Sequence, residues 1–508
     1  MFTLSNYKNS NIKNDILSGT VVAIALVPEA IAFSIIAGVS PLVGLYTAFI
    51  LGLVTALIGG KPGMISGATG AVAVVLISLG LLVTEKLKPL NLPADQLAQS
   101  VLEHILLATI LAGLIQVAIG LFKMGKFIRL VPQPAMYGFV NGLAIVIAMA
   151  QFPLFKGEGM IMIALVASTM AIIQLFPKLT KALPSSLVAI IAISLVVISM
   201  DLDTKRVGDL ADISGNLPTF HIPTVITSMD AIMTVLPYAV LVALVGLIES
   251  LLTLSVLDEL SGTRGSGNKE CIAQGVGNIT CGNFGAMAGC AMIGQSIINY
   301  TSGGLGRLSG ITAATLLIVF VVSISDYIAM IPVAVLVGIM FMVSISTFEW
   351  SSFSHIKFMP RSDAAVMLST TIITILFDLA IAVISGVIIS ALVFAWRHAK
   401  ISARTSKEDE TKIYELEGPL FFGSVTSFNE QFDVNSDPQK VIIDFKQTRV
   451  MDSSGVEAID NLTKKYQEKN KNLSLRHLSN DCKKMLKKAG PFCTYEEDDP
   501  TYRVAVNY

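Results

Sequence analysis

The apolar and polar positions of this 508-residue chain divide it into two unequal parts. Through the first ~400 residues, apolar windows of ~18 or more recur between short polar turns, as in a polytopic helical membrane protein. The first window, within Ile16–Val39, carries Pro28 and is expected to be a discontinuous span. Further spans are expected at Leu42–Ile58, in a broken segment after Gly59, and near Ile105–Phe122, Met136–Phe152, Met160–Phe176 and Ser186–Met200. A second set follows an Asp-rich loop (Asp201, Asp203, Asp209, Asp212). It comprises Ala231–Leu257, an amphipathic Glu270–Asn283, a broken segment around Cys290, Ile311–Ile324, Ile331–Ser346, Asp363–Phe377 and Ala380–Trp396.

After Arg397 the pattern changes. Lys400–Thr411 reads as a charged linker. From Lys412 the periodicities are those of a small soluble α/β domain. KIYELEGPLFFGSV, KVIIDF, NLSLRHL and YRVAVNY read as strands, and SSGVEAIDNLTKKYQEK and NDCKKMLKKAG as helices. The expected division is a cytoplasmic segment at 1–14, a transport domain at 15–398, a linker at 399–411 and the α/β domain at 412–508. The transport domain divides into repeats at about 15–200 and 229–398.

Loop charge sets an orientation. Lys61, Lys123, Lys126, Arg129, Lys178, Lys181, Arg264, Lys269, Arg307, Lys357 and Arg361 fall on one side of the alternating spans. Lys86, Lys88, Lys156, Lys205 and Arg206 fall on the other, diluted by acids. The bias places both termini in the cytoplasm of a cell (inner or plasma) membrane, and seven spans per half invert the second half. The composition agrees, with 53% hydrophobic and 14% charged residues. A net charge of −1 gives no basic footprint for nucleic acid. The first apolar stretch is too long for a signal peptide, contains Glu29 and leads into another span, so it is expected to be retained. Cys271, Cys281, Cys290, Cys482 and Cys493 contain no C-x-x-C pair and read as small or free thiols rather than metal ligands. No P-loop, catalytic triad or metal cluster is visible, so no enzyme activity and no cofactor is expected.

Two stretches break the spanning pattern. NFGAMAGCAMIGQSIINYTSGG at 283–304 and GGKPGMISGATG at 59–70 are Gly-interrupted and too short to cross the bilayer as single helices. Irregular backbone at that depth survives where it is buried in protein or lines a wet cavity. Two such segments in corresponding places point to the binding site of an inverted-repeat transporter. Each half-helix N-terminus offers free N–H groups and a partial charge of roughly +0.5, together enough for a monovalent anion. The alternative is Gly-rich helix packing.

Glu249 lies in the apolar run ALVGLIESLLTLSVLDEL, with Thr253 one turn on. A carboxylate there costs ~2.5–3.5 kcal/mol to insert and is a functional candidate by default. Ionised, it would repel a nearby anion, so it needs either a bound cation such as Na+ or a proton. Glu29, directly after Pro28, is either a second such group or a buttress between helices.

These residues resemble the SulP anion transporters (sulfate-permease type) with a C-terminal STAS domain, over nearly the whole chain. The matching motifs are VPEAIAFSIIAGVSPLVGLY, ISGATGAVAVV, IESLLTL, the Cys290 segment and DSSG at 452–455. The resemblance implies a 7+7 inverted repeat of fourteen spans with core and gate domains, elevator-type alternating access, and a homodimer. It places an anion among Phe33, Thr69, Gly70, Ala71, Ala291, Met292 and Ile293. A cation site like that of the family's sodium–bicarbonate symporters would involve Thr69, Glu249, Thr253 and backbone at Ala291 and Ile293.

The chain departs from the family pattern at three places. Glu249 stands where those symporters have Asp, which favours H+ over Na+. Gln295 stands where many members carry Arg, which weakens divalent-anion binding. Glu29 replaces a commoner Gln and adds a protonation site. In DSSG, Ser453 and Ser454 mark a regulatory phosphosite by resemblance to anti-sigma-factor antagonists, or Asp452 and Ser453 simply cap a helix. The expected function is secondary active transport of a small inorganic anion such as bicarbonate or sulfate, coupled to H+ or Na+. The alternatives are an uncoupled exchanger or channel, a nucleobase transporter of the same fold, and a signalling scaffold.

Overall fold

The computed structural model describes residues 9–125, 132–180, 184–210, 216–376, 379–408, 410–489 and 494–495. Phe377, Lys126, Arg129, Lys181, Asp212, Cys493 and the strand expected at YRVAVNY lie outside the described residues. The chain divides into two units, Met1–Val387 and Ile388–Tyr508.

In the first half run α1 (Asn9–Ala37), α2 (Pro41–Ile58), β1 (Ser66–Gly67), α3 (Gly70–Leu87), α4 (Ala94–Leu121), α5 (Gln133–Met149), α6 (Gly159–Leu179) and α7 (Ser185–Ser199). One helical turn, α8 (Val207–Leu210), precedes the second half. There follow α9 (Met229–Ser261), α10 (Gly267–Asn283), β2 (Cys290–Ala291), α11 (Ile293–Thr301), α12 (Arg307–Ala329), α13 (Val333–Thr347), α14 (Ser351–His355), α15 (Arg361–Leu376) and α16 (Leu379–His398). Among the described residues, eight helices are long and apolar enough to cross a membrane. Three shorter apolar helices accompany them. The chain is a polytopic helical membrane protein.

The packing repeats when the halves are exchanged. α4 lies against α10 as α12 lies against α2, and α4 against α9 as α12 against α1. α5 meets α15 as α13 meets α6. The two broken segments pair with each other, antiparallel, through Ser66↔Ala291 and Gly67↔Cys290. Small residues permit the close α4–α10 approach: a Cβ on Gly113 would meet the Gly275 carbonyl oxygen at 2.6 Å, and one on Gly275 the Gly113 oxygen at 2.6 Å.

The first span differs from expectation. α1 continues through Pro28 rather than breaking there. Pro28 removes one N–H and crowds the carbonyl a turn earlier, at ~3 kcal/mol. Val22, Leu26, Ile31 and Phe33 on either side are buried, and that packing holds the helix across the defect.

The second unit has one sheet in the order β3-β4-β5-β6-β7. Its strands are β3 (Ser402–Glu408), β4 (Thr411–Glu417), β5 (Lys440–Gln447), β6 (Asn472–Arg476) and β7 (Thr494–Tyr495). β3 is antiparallel to β4, and the remaining neighbours are parallel. Its helices are α17 (Val425–Asn429), α18 (Ser453–Glu468) and α19 (Asn480–Ala489). The stretch read as a linker is therefore mostly an edge strand. Its side chains are almost all exposed, so no apolar alternation marked it, and a seven-residue backbone ladder to β4 defines it. β4 also stops sooner than read, at Glu417. Gly418 has φ +113, and the chain turns through Pro419 into α17. The core is built on Tyr414, Phe428, Phe445 and Tyr466. Buried Asp437 accepts from Lys412 Nζ at 2.6 Å, from the Tyr414 hydroxyl at 2.8 Å, and from the Tyr466 hydroxyl. Burial, then the bond to Asp437, push the Tyr466 phenol above its ordinary range.

Candidate functional site

The two-residue ladder of β1 and β2 is fully buried in the first unit. Met292 N–H donates to the Ile65 carbonyl at 2.9 Å, which extends the ladder, and Ser296 Oγ accepts from Ile65 N–H at 3.0 Å. Because the strands are antiparallel, α3 and α11 leave the ladder in opposite directions. Glycine makes the crossing possible: a Cβ on Gly289 would lie 2.1 Å from the Gly67 carbonyl oxygen.

Both helices start without a side-chain cap. Thr69 is the N-cap of α3, yet its hydroxyl makes no capping bond, and the N-cap of α11 is Met292, which cannot make one. In this unit Ser228 caps α9 through Ala231 N–H and Ser266 caps α10 through Lys269 N–H, whereas α2, α4–α7, α12 and α13 are uncapped like α3 and α11; what sets those two apart is that both start at the ladder. The first-turn N–H groups at Gly70, Ala71 and Ile293 therefore have no side-chain cap and lie at the positive ends of two helices. Phe33 and Ile147 close over the start of α3. A Cβ on Gly70 would meet Ile147 Cδ1 at 2.7 Å and Phe33 Cε1 at 2.9 Å. Met292 Sδ would lie 3.4 Å from a Cβ on Gly67.

The carboxylates flank this ladder. Glu249 Oε2 accepts from Cys290 Sγ at 2.8 Å, and Cys290 Sγ lies 3.1 Å from Thr69 Oγ1. Thr253 shares the Glu249 face of α9, but its hydroxyl donates to the Glu249 backbone carbonyl at 2.8 Å. It bonds the backbone there, rather than the carboxylate as a side-chain ligand would. Glu29 Oε1 accepts from Gln295 Nε2 at 2.8 Å, which ties α1 to the first turn of α11. Among the described residues, no ion pair reaches Glu29 or Glu249. No group of three or more His, Cys, Asp or Glu residues there could hold a metal ion.

The structure adds residues that the sequence did not single out. Asn278 makes both bonds of a missing strand neighbour: Gly289 N–H donates to its Oδ1 at 3.0 Å, and its Nδ2 donates to Gly289 O at 3.1 Å. Asn278 also donates to Gln116 Oε1 on α4 at 2.9 Å. Ser250 Oγ accepts Ala291 N–H at 3.0 Å. Gln274 donates to Ser66 Oγ at 2.9 Å and to Glu270 Oε1 at 2.8 Å, and Glu270 Oε2 accepts Gly60 N–H at 2.7 Å. Glu270, Gln274 and Asn278 recur every four residues along α10. That polar stripe in a Gly-rich span was a readable signal.

In the second unit, Asp452 is the N-cap of α18. It accepts Gly455 N–H at 2.9 Å through Oδ1 and Phe422 N–H at 2.9 Å through Oδ2. The capping role is thus realised. Ser453 is exposed and Ser454 half-buried at the first two helical positions.

A membrane domain of two helical repeats crossing at paired broken segments, joined to a five-stranded α/β unit, defines a transporter class of protein. The sulfate permease family model matches residues 12–158 and 154–370, and a STAS domain model matches 402–501. The chain belongs to the sulfate permease family. YbaR of Bacillus subtilis (strain 168), named as a candidate sulfate transporter, is 41% identical over 96% of this chain and 98% of its own length. The bicarbonate transporter BicA of Picosynechococcus sp. is 27% identical over 94% of this chain and 91% of its own. The solved transmembrane domain of a cyanobacterial BicA superposes with a TM-score of 0.65 at 30% identity, covering 74% of this chain and 98% of that one. SLC26A9 shares the fold at 16% identity with a TM-score of 0.82, covering 96% of this chain and 87% of that one. The family is one of membrane transporters, not enzymes.

Proposed function

We propose that this chain is a secondary active transporter of small inorganic anions. The observation that carries the reading is the pair of uncapped helix N-termini leaving one ladder buried in the membrane unit. Free N–H groups and two positive dipole ends hold an anion without a cationic side chain. Phe33, Thr69, Gly70, Ala71, Ala291, Met292 and Ile293 surround it. Two partial charges of roughly +0.5 suit a monovalent anion better than a dianion. Bicarbonate therefore ranks ahead of sulfate, although relatives bear both names.

Glu249 is the coupling group, and H+ is favoured over Na+. Glu249 stands where Asp is expected in the family's sodium symporters, and its Oε2 is held by the Cys290 thiol, a soft group beside the Thr69 hydroxyl, whereas Na+ prefers an all-oxygen shell. Glu29 is a second proton site. Transport proceeds by elevator-type movement of α1–α4 and α9–α12 past α5–α7 and α13–α16, in a homodimer with both termini in the cytoplasm of the cell membrane. Support for the grouping is that α5, α6 and α7 pack with α13 and α15, and α1 to α4 with α9 to α12.

The test is uptake into proteoliposomes of labelled bicarbonate, sulfate and a dicarboxylate, each under a H+ gradient, a Na+ gradient or neither. Uptake that needs the H+ gradient, and loses that need in Glu249→Gln, is the expected result. Gradient-independent uptake unchanged in the variant would leave an uncoupled exchanger or channel. Uptake of uracil with no anion flux would leave a nucleobase transporter.

A further inference from the structure

A buried thiol joins the carboxylate of α9 to the helix end of α3. Cys290 is fully buried and Thr69 nearly so. Cys290 Sγ donates to Glu249 Oε2 at 2.8 Å and stands 3.1 Å from Thr69 Oγ1, where either atom can be the donor. Each of these groups both gives and receives hydrogen bonds, except the ionised carboxylate, which only receives. That asymmetry fixes the direction of the whole chain of bonds.

With Glu249 ionised, its carboxylate accepts the S–H hydrogen bond, and the Thr69 O–H donates within the same cluster, to the sulfur and toward the carboxylate. The Thr69 hydroxyl proton is then used inside the protein. With a proton bound at Glu249 Oε2, the new O–H donates to the sulfur, the S–H turns to Thr69 Oγ1, and the Thr69 O–H is released. It can now donate to an anion at the uncapped start of α3. The bookkeeping closes: one proton enters on Glu249, two rotors turn, and no proton passes between residues.

We propose that Cys290 is the relay by which a proton on Glu249 strengthens anion binding at Thr69. The proposal rests on the reading of Glu249 as the coupling acid. Linkage makes the effect reciprocal: the bound anion raises proton affinity at Glu249 by the same factor. Cys290 is a positioning residue for the anion, because it acts through Thr69.

Other titratable groups packed against α9 are committed elsewhere. On α10, Glu270 accepts from Gly60 N–H and Gln274, and Cys271 is buried against Leu247 and Leu251. On α4, Glu103 bonds His221 and Thr224. Lys61 pairs with Asp258 and Lys86 with Asp230 near the two ends of α9. On α11, Gln295 holds Glu29 of α1.

The experiment measures KM for bicarbonate, sulfate and nitrate at pH 6 and pH 8 in Na+-free proteoliposomes of the full chain. Wild type, Cys290→Ala, Cys290→Ser and Glu249→Gln are compared, each as a ratio to Glu249→Gln so that the anion's own ionisation cancels. The wild-type ratio is expected to fall at least about fivefold on acidification, the lower end for coupled sites. Cys290→Ala flattens it, and Cys290→Ser restores it, because a hydroxyl also gives and receives in line. Cys290→Ala with the wild-type pH dependence overturns the relay. A wild-type ratio that does not change with pH overturns the coupling role of Glu249, and the relay with it.

A second readout needs no loss of the thiol. The infrared S–H stretch of Cys290, assigned by difference with Cys290→Ser, is expected to shift up on acidification as its acceptor changes from carboxylate to hydroxyl. No shift is expected in Glu249→Gln. A band unmoved in wild type overturns the proposal.

Discussion

Gly289 shows how a single hydrogen atom decides the site. Its missing Cβ would lie 2.1 Å from the Gly67 carbonyl oxygen, a backbone atom that cannot step aside. Gly289→Ala is expected to push β2 off β1, at about 1–3 kcal/mol, and to cut uptake about tenfold or more by that energy scale. Gly80→Ala serves as the control, since its Cβ would make only a 3.4 Å contact with Val101. Uptake by Gly289→Ala equal to that of the control would mean the strand crossing is not needed for transport. The glycines of 59–70 and 283–304 were legible in the sequence as breaks. Which of them must be glycine was not, because the clash is with a segment over two hundred residues away.

At the scale of elements, α10 is the case where the pattern marked a polar face and only the structure showed its use. The sequence marks it only as an amphipathic segment, and its carboxamides and carboxylate turn out to hold both broken segments. Asn278 replaces a strand neighbour for Gly289, and Gln274 holds Ser66. Asn278→Leu leaves a buried N–H and C=O unpaired, at ~1–3 kcal/mol for each group. The expected outcome is a rise in anion KM of about tenfold, measured by initial rates of uptake. An unchanged KM would show that β2 keeps its place without the carboxamide.

Asp444, at the join of β5 and β6, gives the C-terminal unit an acid limb. Burial alone would raise its carboxyl. The Lys446 N–H at 2.9 Å, His477 Nδ1 at 2.8 Å and Arg476 at 3.1 Å outweigh burial and hold it below the ordinary range. A lowered folded value contributes stability above the ordinary Asp value of ~3.9, and that stability is lost as pH falls through the folded value. Thermal unfolding of the C-terminal unit in the full chain should therefore weaken more steeply in acid than it does in Asp444→Asn. Parallel curves for the two proteins would remove Asp444 from the acid response.

For the whole molecule, the division into Met1–Val387 and Ile388–Tyr508 places every residue of the ladder in the first unit. A chain ending after Lys400 is expected to keep anion uptake in proteoliposomes, at rates of the same order as the full chain. Loss of flux with intact folding would assign the STAS domain a part in transport rather than in regulation or assembly. The sequence by itself determined the class: apolar windows, loop charge and two Gly-rich breaks follow from local solvation and backbone rules, which need no partner to act. It also isolated Glu249 and Glu29, because a carboxylate in an apolar run stands out in one dimension. Only the tertiary structure decided that α1 runs through Pro28, since packing of Val22, Leu26, Ile31 and Phe33 offsets the defect. It alone showed that Ser402–Glu408 is an edge strand, since its ladder is made by backbone and not by side-chain pattern. The line from Glu249 through Cys290 to Thr69 was likewise out of reach. Hydrogen bonds between residues far apart in sequence leave no period or spacing along the chain, and only folding brings their donors and acceptors within 3.1 Å.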